Sequence, residues 1–153
     1  MIYRSIVERK LRSVFAALNR GDYAPILDSF DEPVEHTFFG EHALGGSRFT
    51  RASVRAWYAR LQTILPDLTF ELDAVVVRGM PWNTVAIVEW RDRFTLRDGS
   101  ARGNQGVHVL RLRWGKVVSL HIYTDTQKLI AVLQDLRAQG VTEAGLAPIA
   151  DAS

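Results

Sequence analysis

Up to Leu65, apolar residues recur at three- and four-residue spacing; beyond Leu68 they alternate with polar ones. The first period is that of an amphipathic helix and the second that of a half-buried strand. Val7, Leu11, Val14, Phe15 and Leu18 share one helical stripe. Ser5 and Glu8 have capping-box spacing, which predicts a start near Ser5, and Gly21 supplies a stop. Asp22 is then expected to cap a shorter helix carrying Tyr23, Ile26, Leu27 and Phe30, with Pro25 tolerated in its first turn. Residues 34–40, VEHTFFG, read as a short extended piece, and EHALGGSRF as a loop. A third helix begins near Thr50, carries Val54, Trp57, Leu61 and Ile64 or Leu65, and ends at Pro66.

Four long strands follow: LTFELDAVVV (68–77), TVAIVEWRDRFTL, ARGNQGVHVLRLRW and KVVSLHIYT, separated by turn residues at GMPWN, Asp98-Gly99 and Gly115. A last helix is expected from about Thr124, where Thr124 and Gln127 again have capping-box spacing, to Gly140. Helices followed by consecutive strands on short turns predict an α+β fold, an antiparallel sheet packed on helices. Strands this long suggest a sheet bent around something. Residues 1–140 read as one domain and 141–153 as a loosely structured tail.

Composition narrows the classes. Of 153 residues 47% are hydrophobic and 24% charged, which is ordinary for a globular chain. A net charge of +2 gives no reason to expect nucleic acid or a membrane as partner. The absence of cysteine excludes disulfides, thiolate metal sites and a thiol nucleophile. Charges interrupt MIYRSIVERKLRSVF too often for a signal peptide, and no apolar run is long enough to span a bilayer, so a cytoplasmic location is expected.

The informative residues are polar ones on apolar stripes, since a buried polar group is costly unless satisfied. Glu89, Arg91 and Arg93 mark the wet face of one strand, which leaves Asp92 among Ala86, Val88, Trp90 and Phe94. Arg111 and Arg113 do the same for the next, which leaves His108 beside Leu110 and Leu112. A three-residue turn at Asp98-Gly99-Ser100 would set Trp90 across from His108, with Asp92 diagonal to it. His36 is a third polar candidate, among Val34, Phe38 and Phe39. Singly, such residues are more often hydrogen-bonded structural groups than catalysts. In the last strand Val118, Leu120 and Ile122 read as the core face, with Val117, Ser119, His121 and Tyr123 outside; a one-residue slip would instead bring His121 beside His108. Asp125 reads as a helix-end residue.

Taken in order, Arg20-Gly21-Asp22, VEHTFFG, the Leu44-Gly45-Gly46 loop, AWYARL, LPDLTFELDAVVV and GKVVSLHIYTD resemble the SnoaL-like polyketide cyclases and ketosteroid isomerase-related proteins of the nuclear transport factor 2-like superfamily. The similarity runs over residues 5–138. It implies a cone-shaped barrel: a strongly curved antiparallel sheet wrapped around three N-terminal helices, with a C-terminal helix, a deep pocket and frequent dimers through the outer sheet face. By position, His108 stands where these families place a working Asp, and His36 near the isomerase base. Asp92 stands near one acid of the related limonene epoxide hydrolases, but Trp90 replaces their arginine and Ile122 their second acid. Val14 occupies the place of the isomerase oxyanion tyrosine. Neither of those two reactions is therefore expected.

Two functions remain. One is a cofactor-independent acid–base enzyme on a small apolar carbonyl compound, with His108, Asp92 and His36 catalytic and Trp90, Trp57, Tyr58, Phe38, Leu110 and Ile122 lining the site. The histidine would serve as base, oriented by Asp92. The other is a non-catalytic ligand-binding or dimeric scaffold domain. Neither calls for a metal or nucleotide, and the glycine-containing segments lack the strand–loop–helix context of a phosphate loop. A homodimer is expected through Val107, Val109, Val117 and Tyr123.

Overall fold

Burial follows the predicted N-terminal stripe, with Val7, Leu11, Val14, Phe15 and Leu18 all in the core. The computed structural model describes residues 2–152. Its elements are α1 (Ile2–Asn19), α2 (Ala24–Ser29), β1 (Phe30–Phe38), β2 (Gly46–Arg48), α3 (Arg51–Ile64), β3 (Thr69–Met80), β4 (Asn83–Thr95), β5 (Ala101–Arg113), β6 (Lys116–Thr124) and α4 (Thr126–Ala138). Helix α1 starts before Ser5, so Glu8 pairs with Arg12 one turn on instead of closing a capping box. Phe30 opens β1 rather than ending α2. Thr50 caps α3 as expected, and Asp125, not Thr124, caps α4 by accepting from the Lys128 amide.

The strands form one sheet in the order β2-β1-β6-β5-β4-β3. Every neighbouring pair is antiparallel except β1 with β6, which is parallel, so the α+β fold holds a mixed sheet. Bulges in β3, at Asp73 between Leu72 and Ala74, and in β6, at Val118 opposite Arg111 and Leu112, interrupt the ladders. A bulge bends its strand and sharpens local twist, which helps a sheet curve around helices. The second bulge also turns Val117 inward: it is a core residue, 2% exposed, not part of an outer patch.

The β4–β5 turn is Arg97-Asp98-Gly99, closed by the Leu96 amide on the Ser100 carbonyl at 2.9 Å, with Gly99 at φ +85°. It lies one residue earlier than the sequence suggested. Trp90 therefore faces Gly106, and His108 faces Val88. A shift of two in pairing leaves every side chain on its expected face.

The final segment is tied down. Val141 and Ala144 are buried, and the Asp151 carboxylate accepts from the Phe49 and Thr50 amides and the Thr50 and Ser53 hydroxyls. Among the described residues no helix is long and apolar enough to cross a membrane.

Candidate active site

Leu11, Phe15 and Leu18 of α1, Trp57, Tyr58 and Leu61 of α3, and the inward residues of β4, β5 and β6 enclose a cavity of about 60 Å³. Trp90, Asp92 and His108 all line it, as do Trp57, Tyr58, Phe38, Leu110 and Ile122. Arginines on the opposite face of β4 and β5 hold that parity, since turning them inward would bury unpaired charge.

The Trp90 indole reaches along the sheet and donates from Nε1 to Nδ1 of His108 at 2.7 Å. Gly106 makes the reach possible: a Cβ there would lie 2.7 Å from the Trp90 ring. Phe15 and Phe70 set their rings edgewise near the imidazole, at centroid distances of 5.3 and 6.2 Å. Burial pushes His108 from 6.5 down to about 3, so the ring is neutral at physiological pH. With Nδ1 accepting, the single ring proton sits on Nε2. That nitrogen has no protein partner among the described residues and is not sealed off, so its N–H is a donor for whatever occupies the cavity.

This changes the role read from the sequence. His108 is not a base near its working range, and Asp92 does not orient it: no hydrogen bond joins them. Asp92 instead faces Asn104, whose amide donates to Oδ1 at 2.7 Å. Burial raises the Asp92 carboxyl to about 6, with the Asn104 amide pulling the other way. A carboxyl poised there gains and loses a proton near neutrality.

His36 is also buried, but it does not line the cavity. Arg48 of β2 donates to its Nδ1 at 2.6 Å, and its Nε2 is sealed without a partner. Burial, then the Arg48 charge, holds it well below the usual histidine range. His121 lies on the outer face, 3.2 Å from Glu35. Among the described residues no three His, Asp or Glu side chains converge as a metal site would need.

Three polar lining residues escaped the sequence reading: Tyr23, Asn104 and Thr124. Asn104 continues the inward parity of His108 and could have been found by extending that count. The fully buried Arg48 gave no signal, because SRF reads as polar loop.

Structural comparison finds the same fold in proteins of low identity. An NTF2-like protein of unknown function from Burkholderia pseudomallei superposes with a TM-score of 0.71 at 21% identity, over 81% of this chain and 94% of that one. A protein from Jannaschia sp. CCS1 assigned as a SnoaL-like polyketide cyclase gives a TM-score of 0.63 at 18% identity, over 84% and 92%. TerC, co-crystallized with polyporic acid, gives 0.66 at 18%, over 82% and 96%. Among curated proteins none matches the sequence. Residues 11–120 match the SnoaL-like domain profile, most of the helical layer and sheet just described, and the chain belongs to that family.

Proposed function

We propose that this protein binds a small, largely apolar carbonyl compound in the cavity and turns it over by acid–base chemistry without a cofactor, as a cyclase, isomerase or dehydratase does. Asp92, as carboxylate, takes a proton from a carbon next to the carbonyl. The electron pair moves onto the carbonyl oxygen, where the His108 Nε2–H holds the developing oxyanion. Return of the proton at another carbon gives an isomer; attack of the enolate carbon on a second carbonyl closes a ring. The Trp90–His108 hydrogen bond carries this reading, because it presents a fixed donor in a largely apolar enclosure. The family's cyclase-assigned member supports the reaction class.

The test begins with a thermal-shift screen of apolar ketones. A ketone that binds is then followed by NMR in deuterated water for exchange of its α-hydrogens. Exchange should fall about 100-fold or more in Asp92→Asn, since general acid–base catalysis typically contributes that much. A ligand that binds with no exchange, and an Asp92→Asn change felt only in affinity, would establish the non-catalytic binder instead.

We also propose a homodimer through the outer sheet face, where Ile87 is 40% and Tyr123 45% exposed, Val107 and Val109 are half-buried, and Phe39 stacks on Tyr123 at 4.6 Å. Light scattering at micromolar concentration should give twice the chain mass; a monomer would rule it out.

A further inference from the structure

A second apolar space opens between α1 and the sheet, lined by Tyr3, Ile6 and Val7 on one side and Leu112, Gly115 and Val117 on the other. It holds about 150 Å³, against about 60 Å³ for the cavity at His108. Leu11, Val14, Ile26 and Leu110 line both spaces, so one layer of side chains is all that lies between them. None of these four is polar, and none makes a side-chain hydrogen bond that parting would break. Val14 to Tyr3 spans ~16 Å of helix axis, a long and narrow path. Lys10 is the single charged side chain among the groove's lining residues.

Shape decides what such a path can hold. An enclosed volume of ~150 Å³ is what a benzene-sized ligand needs, and the inner cavity is well below that. A flat fused-ring compound does not fit it. A chain one methylene wide does, provided the rest of its length has somewhere apolar to go.

We propose that the groove is the tail site of the substrate. It rests on the carbonyl reading above and adds its class: a straight-chain ketone whose reacting end meets His108 and Asp92. The aliphatic chain passes between Leu11, Val14, Ile26 and Leu110 into the groove and ends beside Lys10.

Calorimetric titration with unbranched methyl ketones from 2-hexanone to 2-tetradecanone tests it. Affinity should tighten about fourfold per added methylene, the transfer value for a buried CH₂, well beyond 2-hexanone and level off only when the chain leaves the groove. Ile6→Asp changes an exposed residue of the groove wall and should fold normally. It should flatten the gain for long ketones and leave 2-hexanone unaffected. A long ketone carrying a terminal carboxylate should weaken about threefold in Lys10→Glu at low salt, a surface-charge effect. If affinity stops rising at 2-hexanone in the unaltered protein, or the rise survives Ile6→Asp, the tail site is wrong while the carbonyl reading stands. If no ketone of any length binds, both fall.

Discussion

His36 and His108 sit in the same protein interior, 0% and 8% exposed, and each accepts a short hydrogen bond at Nδ1. In both, the donor's chemistry leaves the ring proton on Nε2, because neither Arg48 nor the Trp90 indole can accept. Burial depresses both pKa values. They part at the second nitrogen. At His36 it is sealed against protein, beneath a Trp57 ring whose centroid is 4.5 Å away. At His108 it faces cavity volume lined by Asp92, Trp90 and Leu110. The lesson is that neither the histidine nor its first partner marks a site here; what the free nitrogen meets does. His36 serves the fold by neutral acceptance from a buried cation, and His108 has a donor left to offer.

Acidification is the most severe way to break the pair. His108 has a folded pKa of about 3 against 6.5 unfolded, so its stabilising contribution is present above 6.5 and is lost as pH falls toward 3. Integrated over that window the loss reaches ~5 kcal/mol at 1.36 kcal/mol per unit. His36 shifts in the same direction and adds to it. Asp92 opposes them: its raised pKa, about 6 against 3.8, favours the folded state at low pH and loses that contribution as pH rises through 6. The two histidines outweigh the one carboxyl. Denaturant midpoints between pH 7 and 4 should therefore fall, more steeply in Asp92→Asn and less steeply in His108→Gln. A flat profile in the unaltered protein would mean that the histidines are not buried as neutral rings.

The next effect separates the two by stability. Arg48 is fully buried, donating to His36, to the Gly45 carbonyl at 2.7 Å and to the Ile149 carbonyl at 3.1 Å, with the Trp57 ring 5.6 Å from its guanidinium. No acid forms an ion pair with it among the described residues. Arg48→Leu strands two buried acceptors, His36 Nδ1 and the Gly45 carbonyl, and the part-buried Ile149 carbonyl; each buried one costs ~1–3 kcal/mol when left unmet. A loss of ~3 kcal/mol or more in chemical denaturation is expected, with α-hydrogen exchange at the His108 cavity affected little in the folded protein. Equal loss of both would join the two histidines into one unit.

The sequence carried one half of this contrast better than the other. Alternation along β4 and β5, with arginines on one face, put Trp90, Asp92 and His108 together, and the conclusion survived a turn misplaced by one residue because the pairing then shifts by two. Which of them touch was not legible. Pairing depends on side-chain reach, and the indole, made free to lie over Gly106, outreaches the carboxylate. Nor could alternation, anchored on Leu120 and Ile122, foresee the bulge at Val118 that turns Val117 into the core, since one inserted residue inverts the pattern on its far side. The His36 half is long-range. Arg48 binds the Ile149 carbonyl 101 residues away, and β1 pairs in parallel with β6; no local period encodes either partner. The buried stripes of the helical layer were legible, though not the start of α1 or the end of α2, because α1 and α3 bury single stripes whose period is set by backbone geometry alone.

The smallest change bears on the contrast most directly. Trp90→Phe keeps an aromatic side chain and removes the Nε1 donor, together with the outer indole edge that lies over Gly106. Nδ1 of His108 then has no partner unless it takes the ring proton, and if it does, Nε2 becomes an acceptor toward the cavity. Stability should drop by ~2 kcal/mol, of which ~1 kcal/mol is the buried hydrogen bond and the rest the emptied ring volume. Ketone α-hydrogen exchange should slow about tenfold, equivalent to ~1.4 kcal/mol of lost transition-state stabilisation. Ring-nitrogen NMR on histidine-labelled protein reads the cause: the His108 signals should move toward the other tautomer while those of His36, still held by Arg48, stay where they were. Unchanged His108 signals together with an unchanged exchange rate would show that the indole packs against the imidazole without setting its proton, and the difference between the two histidines would then have to come from cavity access alone.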